Sequence, residues 1–129
     1  GHLAKAGVEV TVLDAQSIGW GASGRNGGFC CLGGAKINDA GLDLRFGKKG
    51  RIAFRLAERA AVELVDGLIH THDIDVDRHS HGEILLAHRK KDVLDLETSV
   101  ESLAENYGVA SELISANDLR TRGLGDIFH

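Results

Sequence analysis

The 129-residue sequence contains no methionine, and its only two cysteines are neighbours. Consecutive Cα atoms lie about 3.8 Å apart across a trans peptide, which is closer than the usual disulfide geometry. We therefore expect Cys30 and Cys31 to be free thiols, packed as small buried side chains in a cytoplasmic protein. Because a natural chain starts with methionine unless it is processed, we expect this sequence to be an internal fragment or a partial reading frame.

The sequence also lacks the features of membrane and nucleic-acid proteins. Its apolar runs are far shorter than a membrane span, and no signal-peptide pattern is present. The net charge is −4, and only short basic clusters occur, at 48–55 and 89–91. Single-stranded nucleic-acid binding would need aromatic residues interleaved with these clusters, and the chain has only six aromatic residues. We therefore expect neither a nucleic-acid partner nor a membrane span.

A strand that ends in an acidic residue predicts a dinucleotide site. β-Branched residues alternate over residues 8–13, after a short helix that Gly7 ends, and Asp14 follows the strand. In dinucleotide-binding βαβ units a carboxylate at this place accepts hydrogen bonds from ribose hydroxyls. The acid lies about 20 residues after a glycine fingerprint. Only residues 1–13 precede Asp14, so we expect that fingerprint to lie upstream.

Apolar periodicity in the rest of the sequence completes the prediction of an α/β fold. Apolar residues at every fourth position predict a helix from Arg51 to about Thr71. Three–four spacing predicts a second helix from Lys91 to Tyr107. We expect further strands at 82–88 and 112–115, a short helix ending near residue 122, and loop with short helical turns over 35–50.

Seven of the seventeen glycines lie in one stretch, GWGASGRNGGFCCLGG, from Gly19 to Gly34. Glycine occurs where the backbone needs a positive φ or approaches another group closely. The N–H groups of such a turn can bind an anion, and the side chains of Ser23 and Asn26 can bond a polar ring edge. Arg25 can pair with a phosphate or with a protein carboxylate, and the sequence leaves both open. The alternative is a flexible loop with a solvated arginine.

The stretch LAKAGVEVTVLDAQSIGWGASGRNGG, residues 3–28, resembles the FAD-dependent oxidoreductases of the D-amino-acid oxidase (DAO) superfamily. The resemblance is to the gamma-glutamylputrescine oxidoreductase-like branch, where a G-x-G-A-S-G-R-N-G-G stretch follows the ribose-binding acid. It implies FAD as the cofactor, with Asp14 at the ribose and Ala15 among the cofactor-binding residues. It also implies that eight loop residues pass the pyrophosphate and the flavin ring: Gly21, Ala22, Ser23, Gly24, Arg25, Asn26, Gly27 and Gly28.

The same resemblance implies a fragment of a two-domain flavoenzyme. Residues 1–72 would belong to a Rossmann-like FAD-binding domain, and residues 73–129 would begin an α+β substrate domain. The implied reaction is oxidation of a C–N bond in a small amine or amino acid, with hydride transfer to the flavin. No catalytic residue can be named. Without the first βα turn, the chain alone should neither hold FAD nor be active, and the open edge of the strand at 8–13 predicts self-association.

Two other interpretations compete with this one. The chain could be a non-enzymatic α+β binding or interaction module whose glycine stretch is only a loop. An upstream strand followed by G-x-G-x-x-G would decide for the flavoenzyme. Two H-x-H pairs could instead form a zinc or nickel site, at His70, His72, His79 and His81. Because no cysteine is near and no metal-motif spacing fits, we expect a solvated polar connection there and no metal.

Overall fold

The fold was examined in a computed structural model, which describes residues 1–78, 82–125 and 127–129. Three α-helices lie in these ranges: α1 at His2–Lys5, α2 at Asp39–His72 and α3 at Val93–Tyr107. Single 3₁₀ turns occur at Ala22–Gly24, Lys90–Asp92 and Arg120–Arg122. No strand is found among the described residues.

Helix α2 begins well before the predicted start at Arg51. Asn38 caps it, because the side-chain Oδ1 accepts a hydrogen bond of 2.9 Å from the Gly41 N–H. Gly47 then interrupts the helical backbone with φ 67° and ψ 171°, so two helical segments meet there. The prediction of loop over 35–50 is therefore wrong beyond Asn38, because a local side-chain cap starts a helix in a stretch without apolar periodicity.

Helix α2 ends close to the predicted residue, in a left-handed turn. Asp73 has φ 49° and is the one residue other than glycine with a positive φ in the described chain. Its N–H donates to the carbonyl of His70, and the N–H of Ile74 donates to that of Ile69 at 3.0 Å. These two bonds form a Schellman-type ending, a place where glycine is normally favoured.

Helix α3 confirms the prediction from three–four spacing. It begins at Val93, directly after a 3₁₀ turn, and Gly108 ends it with φ 62°. Helices α2 and α3 pack against each other, and Leu42 and Tyr107 are among the few apolar residues that are buried. Hydrogen bonds between side chains also join the two helices.

The predicted fold class is wrong. The described residues are helical and irregular, so the chain is not an α/β fragment of a Rossmann-like domain followed by an α+β start. No peptide group from Glu9 to Leu13 bonds to a described residue, and 82–88 and 112–115 form no strand. A helix satisfies its own backbone groups, whereas a strand needs a neighbouring strand. The strand edge on which self-association was predicted is absent, and self-association stays a prediction, as does the division at residue 72.

Much apolar surface is exposed. The accessible surface is 10676 Å², against about 6,600 Å² for a compact folded chain of this mass. Val12, Leu13 and Ile18 are almost fully exposed. No helix within the described ranges has the length and apolar content that a membrane crossing requires. The residues before α2 therefore build no core of their own.

Candidate functional site

The glycine-rich stretch is organised by the side chain of Asn26. Its Nδ2 donates to the carbonyls of Ala22 and Ser23, at 3.2 and 2.7 Å. Its Oδ1 accepts a bond of 2.7 Å from the N–H of Gly28. One amide thus ties the 3₁₀ turn at Ala22–Gly24 to the double glycine that follows it. The sequence suggested a different use of this amide, as a donor to a ring edge.

Two glycines of this loop are required by its geometry. A Cβ added to Gly24 would lie 2.0 Å from the carbonyl oxygen of Gly19, so the two backbones touch at this point. Gly28 has φ 70°, in the left-handed region that disfavours other residues. The loop is therefore a closed turn with a defined shape.

Arg25 lies over the ring of Trp20. Its guanidinium carbon is 4.4 Å from the ring centroid, and both residues are exposed. No ion pair joins Arg25 to a carboxylate of the described residues. Sequence reasoning missed the stack, because a spacing of five residues in a glycine-rich loop indicates no contact.

Asp14 and Ala15 are not hydrogen-bonded to the described loop residues 21–28. One carboxylate oxygen of Asp14 accepts a bond of 3.2 Å from the N–H of Gln16, and the other bonds to no described residue. Both residues are exposed, and no hydrogen bond in the described chain links them to 21–28. The structure therefore brings the loop residues together but does not join the predicted ribose group to them.

A second group of polar residues, which sequence reasoning did not single out, lies between α2 and α3. We call it the α2–α3 polar cluster, and its members are Asp39, Arg51, Arg55, Glu58, Ser102, Asn106 and Tyr107. Arg51, Arg55 and Asn106 are buried. The i,i+4 spacing of the two arginines was the available signal, but it does not reveal partners about 50 residues away.

Asn106 is at the centre of the cluster. Its Nδ2 donates to Asp39 Oδ2 at 2.7 Å and to Ser102 Oγ at 3.0 Å. Its Oδ1 accepts a hydrogen bond from the guanidinium of Arg51. Arg51 also donates to Asp43 at 2.9 Å and thereby fixes the second segment of α2 to the first. The start of α2 and the end of α3 are therefore joined through one buried amide.

The charges of the cluster stabilise one another. Burial tends to raise the pKa of Asp39, but hydrogen bonds from Arg55 and Asn106 outweigh burial and lower it. Burial disfavours the charge of Arg55, yet hydrogen bonds to Glu58 and Asp39 raise its pKa. Burial and the 2.8 Å hydrogen bond to Glu58 raise the pKa of Tyr107. Every buried polar side-chain atom of the described residues has a hydrogen-bond partner, so the cluster acts as a structural link.

Within the described ranges, neither the cysteines nor the histidines are grouped into a site. Cys30 and Cys31 are free, as expected, but they are exposed, so the expectation of buried side chains was wrong. In the described ranges no group of three or more His, Cys, Asp or Glu side chains could hold a metal ion. His70 and His72 lie in the last turn of α2, while His79 and His81 lie outside the described residues. The absence of a metal therefore stays a prediction.

Comparison with known proteins decides the family. The family model for FAD dependent oxidoreductases, DAO, matches residues 2–127. The chain belongs to this family. It is 32% identical over 126 residues to gamma-glutamylputrescine oxidoreductase of Escherichia coli (strain K12), a match that covers 97% of this chain and 29% of the relative. It is 32% identical over 107 residues to "Probable oxidoreductase OrdL" of Rhizobium meliloti (strain 1021), covering 83% of this chain and 24% of the relative.

The resemblance to DAO oxidoreductases is thus confirmed, and FAD is the family's cofactor. The chain spans less than a third of the length of the curated relatives it matches. No solved structure matches it with statistical support. Family membership also argues against the alternative of a non-enzymatic module.

The glycine-rich loop has the donors that a phosphate-bearing cofactor needs. The N–H groups of Ala22, Ser23 and Gly27 donate to no described residue, and the Arg25 cation forms no ion pair with a described carboxylate. Exposed N–H groups of a tight turn together with a cation form an anion-binding surface. The residues of the DAO chain therefore fit the anionic part of FAD at this loop.

Proposed function

We propose that the enzyme containing this chain uses FAD to oxidise a C–N bond of a small amine or amino acid. FAD supplies the acceptor for the hydride that leaves the carbon next to nitrogen. The family match over residues 2–127 is the observation that carries the proposal. The relative from Escherichia coli is named for gamma-glutamylputrescine. This supports an amine-containing substrate.

We assign cofactor binding to the residues that the motif indicates. In this assignment Asp14 contacts the adenosine ribose, Ala15 is a further cofactor contact, and Gly21–Gly28 contact the pyrophosphate and flavin. The open N–H groups of the loop and the cation of Arg25 support the assignment to an anionic ligand. The carboxylate oxygen of Asp14 without a bond to a described residue supports the assignment to a hydroxyl donor.

The reaction can be tested by single-turnover reduction. The FAD-loaded enzyme is mixed without oxygen with a panel of polyamines, amino acids and their γ-glutamyl conjugates, and bleaching of the flavin absorbance is followed. Bleaching by a compound with a C–H bond next to nitrogen, and none by the matched alcohol, is expected. Bleaching by alcohols or hydroxy acids alone would contradict C–N oxidation.

The ribose assignment can be tested by Asp14→Ala. Charge-assisted hydrogen bonds contribute about 1.5–3 kcal/mol, so the FAD binding free energy should weaken by about that amount. Asp75→Ala is the matched control, because Asp75 is an exposed acid without a hydrogen bond to a described residue. Equal FAD dissociation constants for the two variants would reject the role of Asp14.

We also expect a cytoplasmic enzyme with a domain division near residue 72. The two free, exposed thiols support a reducing compartment. The end of helix α2 at His72 supports a division at that point. Limited proteolysis should cut first near residues 73–78 if the division is correct.

A further inference from the structure

We propose that Trp20 is a positioning residue of the FAD site, whose ring holds the Arg25 guanidinium in place to bind a phosphate. The proposal rests on the proposed function of the loop. It goes beyond it because Trp20 occupies the variable position of the G-x-G-A-S-G-R-N-G-G pattern, to which the resemblance assigns no role. The observation that carries it is the 4.4 Å stack of Arg25 over the Trp20 ring.

The backbone of the loop produces this stack. Gly19 and Gly24 touch, since a Cβ on Gly24 would lie 2.0 Å from the Gly19 carbonyl oxygen. The residues that follow them, Trp20 and Arg25, are therefore brought side by side. Hydrogen bonds hold both peptide groups: the N–H of Trp20 donates to the Ser17 carbonyl at 3.0 Å, and that of Arg25 to the Ala22 carbonyl at 3.2 Å.

The stack leaves the Arg25 guanidinium able to bind an anion. A cation–π contact uses the face of the guanidinium, whereas its five N–H donors lie in the guanidinium plane. No carboxylate of the described chain pairs with Arg25. The ring thus restricts a long flexible side chain without consuming its donors. That restriction reduces the rotamer entropy that Arg25 loses when it binds a phosphate.

The same loop carries a second set of donors, its open N–H groups. The N–H groups of Ala22 and Ser23 belong to the 3₁₀ turn that ends directly before Arg25. Arg25 is the next residue along the chain, so the cation and these donors belong to one short segment. We therefore infer that the Trp20–Arg25 stack and the turn bind the same anion.

The test is a double-mutant cycle on the FAD dissociation constant of the enzyme, stripped of FAD and reloaded. The variants are Trp20→Leu, Arg25→Ala and the double variant. An exposed cation–π contact contributes about 0.5–1 kcal/mol, so Trp20→Leu should weaken FAD binding about two- to fivefold. Trp20→Phe should recover part of the affinity. In the Arg25→Ala background, Trp20→Leu should have no further effect.

Two controls separate positioning from a loss of folding. Phe46→Leu removes another exposed aromatic ring that stacks on no described cation, and it should leave FAD affinity unchanged. Circular dichroism should be the same for all variants, because Trp20 is 53% exposed.

The outcomes distinguish the two proposals. If Arg25→Ala leaves FAD affinity unchanged while Asp14→Ala weakens it, the phosphate role of Arg25 is wrong and the positioning role is overturned with it. If Arg25→Ala weakens FAD but the effect of Trp20→Leu is zero or fully additive, only the positioning role is overturned.

Discussion

Asn106→Ala should destabilise the packing of α2 against α3 by more than the small number of atoms removed suggests. Asn106 is 2% exposed, and of the described residues its side chain alone bonds to Asp39, Ser102 and Arg51 together. Truncation removes all three hydrogen bonds but leaves their partners in place. A buried polar group that loses its partner costs more than the hydrogen bond contributed.

The expected loss of unfolding free energy depends on which hydrogen bonds Asp39 and Arg51 retain after Asn106 is truncated. Asp39 keeps its bonds from Arg55, and its side chain is 35% exposed, so water can replace the amide. The side chain of Arg51 is only 7% exposed, and its Nη1, which donates to Asn106, would keep only the 3.7 Å ion pair with Asp39, while Asp43 and Glu105 still bind its other nitrogens. A charged hydrogen bond lost in this way costs about 1.5–3 kcal/mol, and a total of about 2–4 kcal/mol is expected with the Ser102 bond.

The assay is urea unfolding of the chain followed by circular dichroism, with Asn117→Ala as the matched control. Asn117 is exposed and its side chain bonds to no described residue, so its truncation should change the free energy of unfolding by less than about 0.5 kcal/mol. If both variants lose the same free energy, the α2–α3 polar cluster does not hold the helices together and the reasoning is refuted.

Three further outcomes are expected. Asp73→Gly should stabilise the chain by about 0.5–1 kcal/mol, because glycine relieves the left-handed φ of 49° and removes an acid from the end of α2, whereas Asp75→Gly should not stabilise it. Tyr107, the only tyrosine, should ionise above its ordinary pKa of about 10, and Glu58→Gln should lower the midpoint of the phenolate absorbance. Because the pKa of Tyr107 is higher in the folded chain than in the unfolded chain, protonated Tyr107 stabilises the fold below about pH 10, and this stabilisation is lost as the pH rises through the folded pKa. A phenolate midpoint equal to the one measured in urea would contradict the prediction. The 129-residue chain with excess FAD should show no flavin absorbance after gel filtration, and a stoichiometric yellow monomer would disprove the expectation that the loop alone is insufficient.

The candidate site could be predicted in part from the sequence. The motif at residues 21–28 was sufficient to indicate the family and its cofactor. Its order of glycines, Arg25 and Asn26 is unusual, and that order can be recognised in the sequence without knowledge of the fold. The contacts inside the loop could not be predicted. Whether Arg25 stacks on Trp20 depends on the close approach of Gly19 and Gly24, which no periodicity encodes.

The sequence by itself determined the helices whose signals are local. The three–four spacing and Gly108 defined α3, and Gly7 marked the end of α1, because a helix closes its hydrogen bonds within a few residues. Only the tertiary structure decided whether Val8–Leu13 forms a strand. A run of β-branched residues becomes a strand only beside another strand, and the described chain supplies none. The tertiary structure also decided the α2–α3 polar cluster, because Asn106 meets Asp39 and Arg51 across more than 50 residues of sequence. Such a contact depends on how two helices pack, and the pattern within either helix does not contain that information.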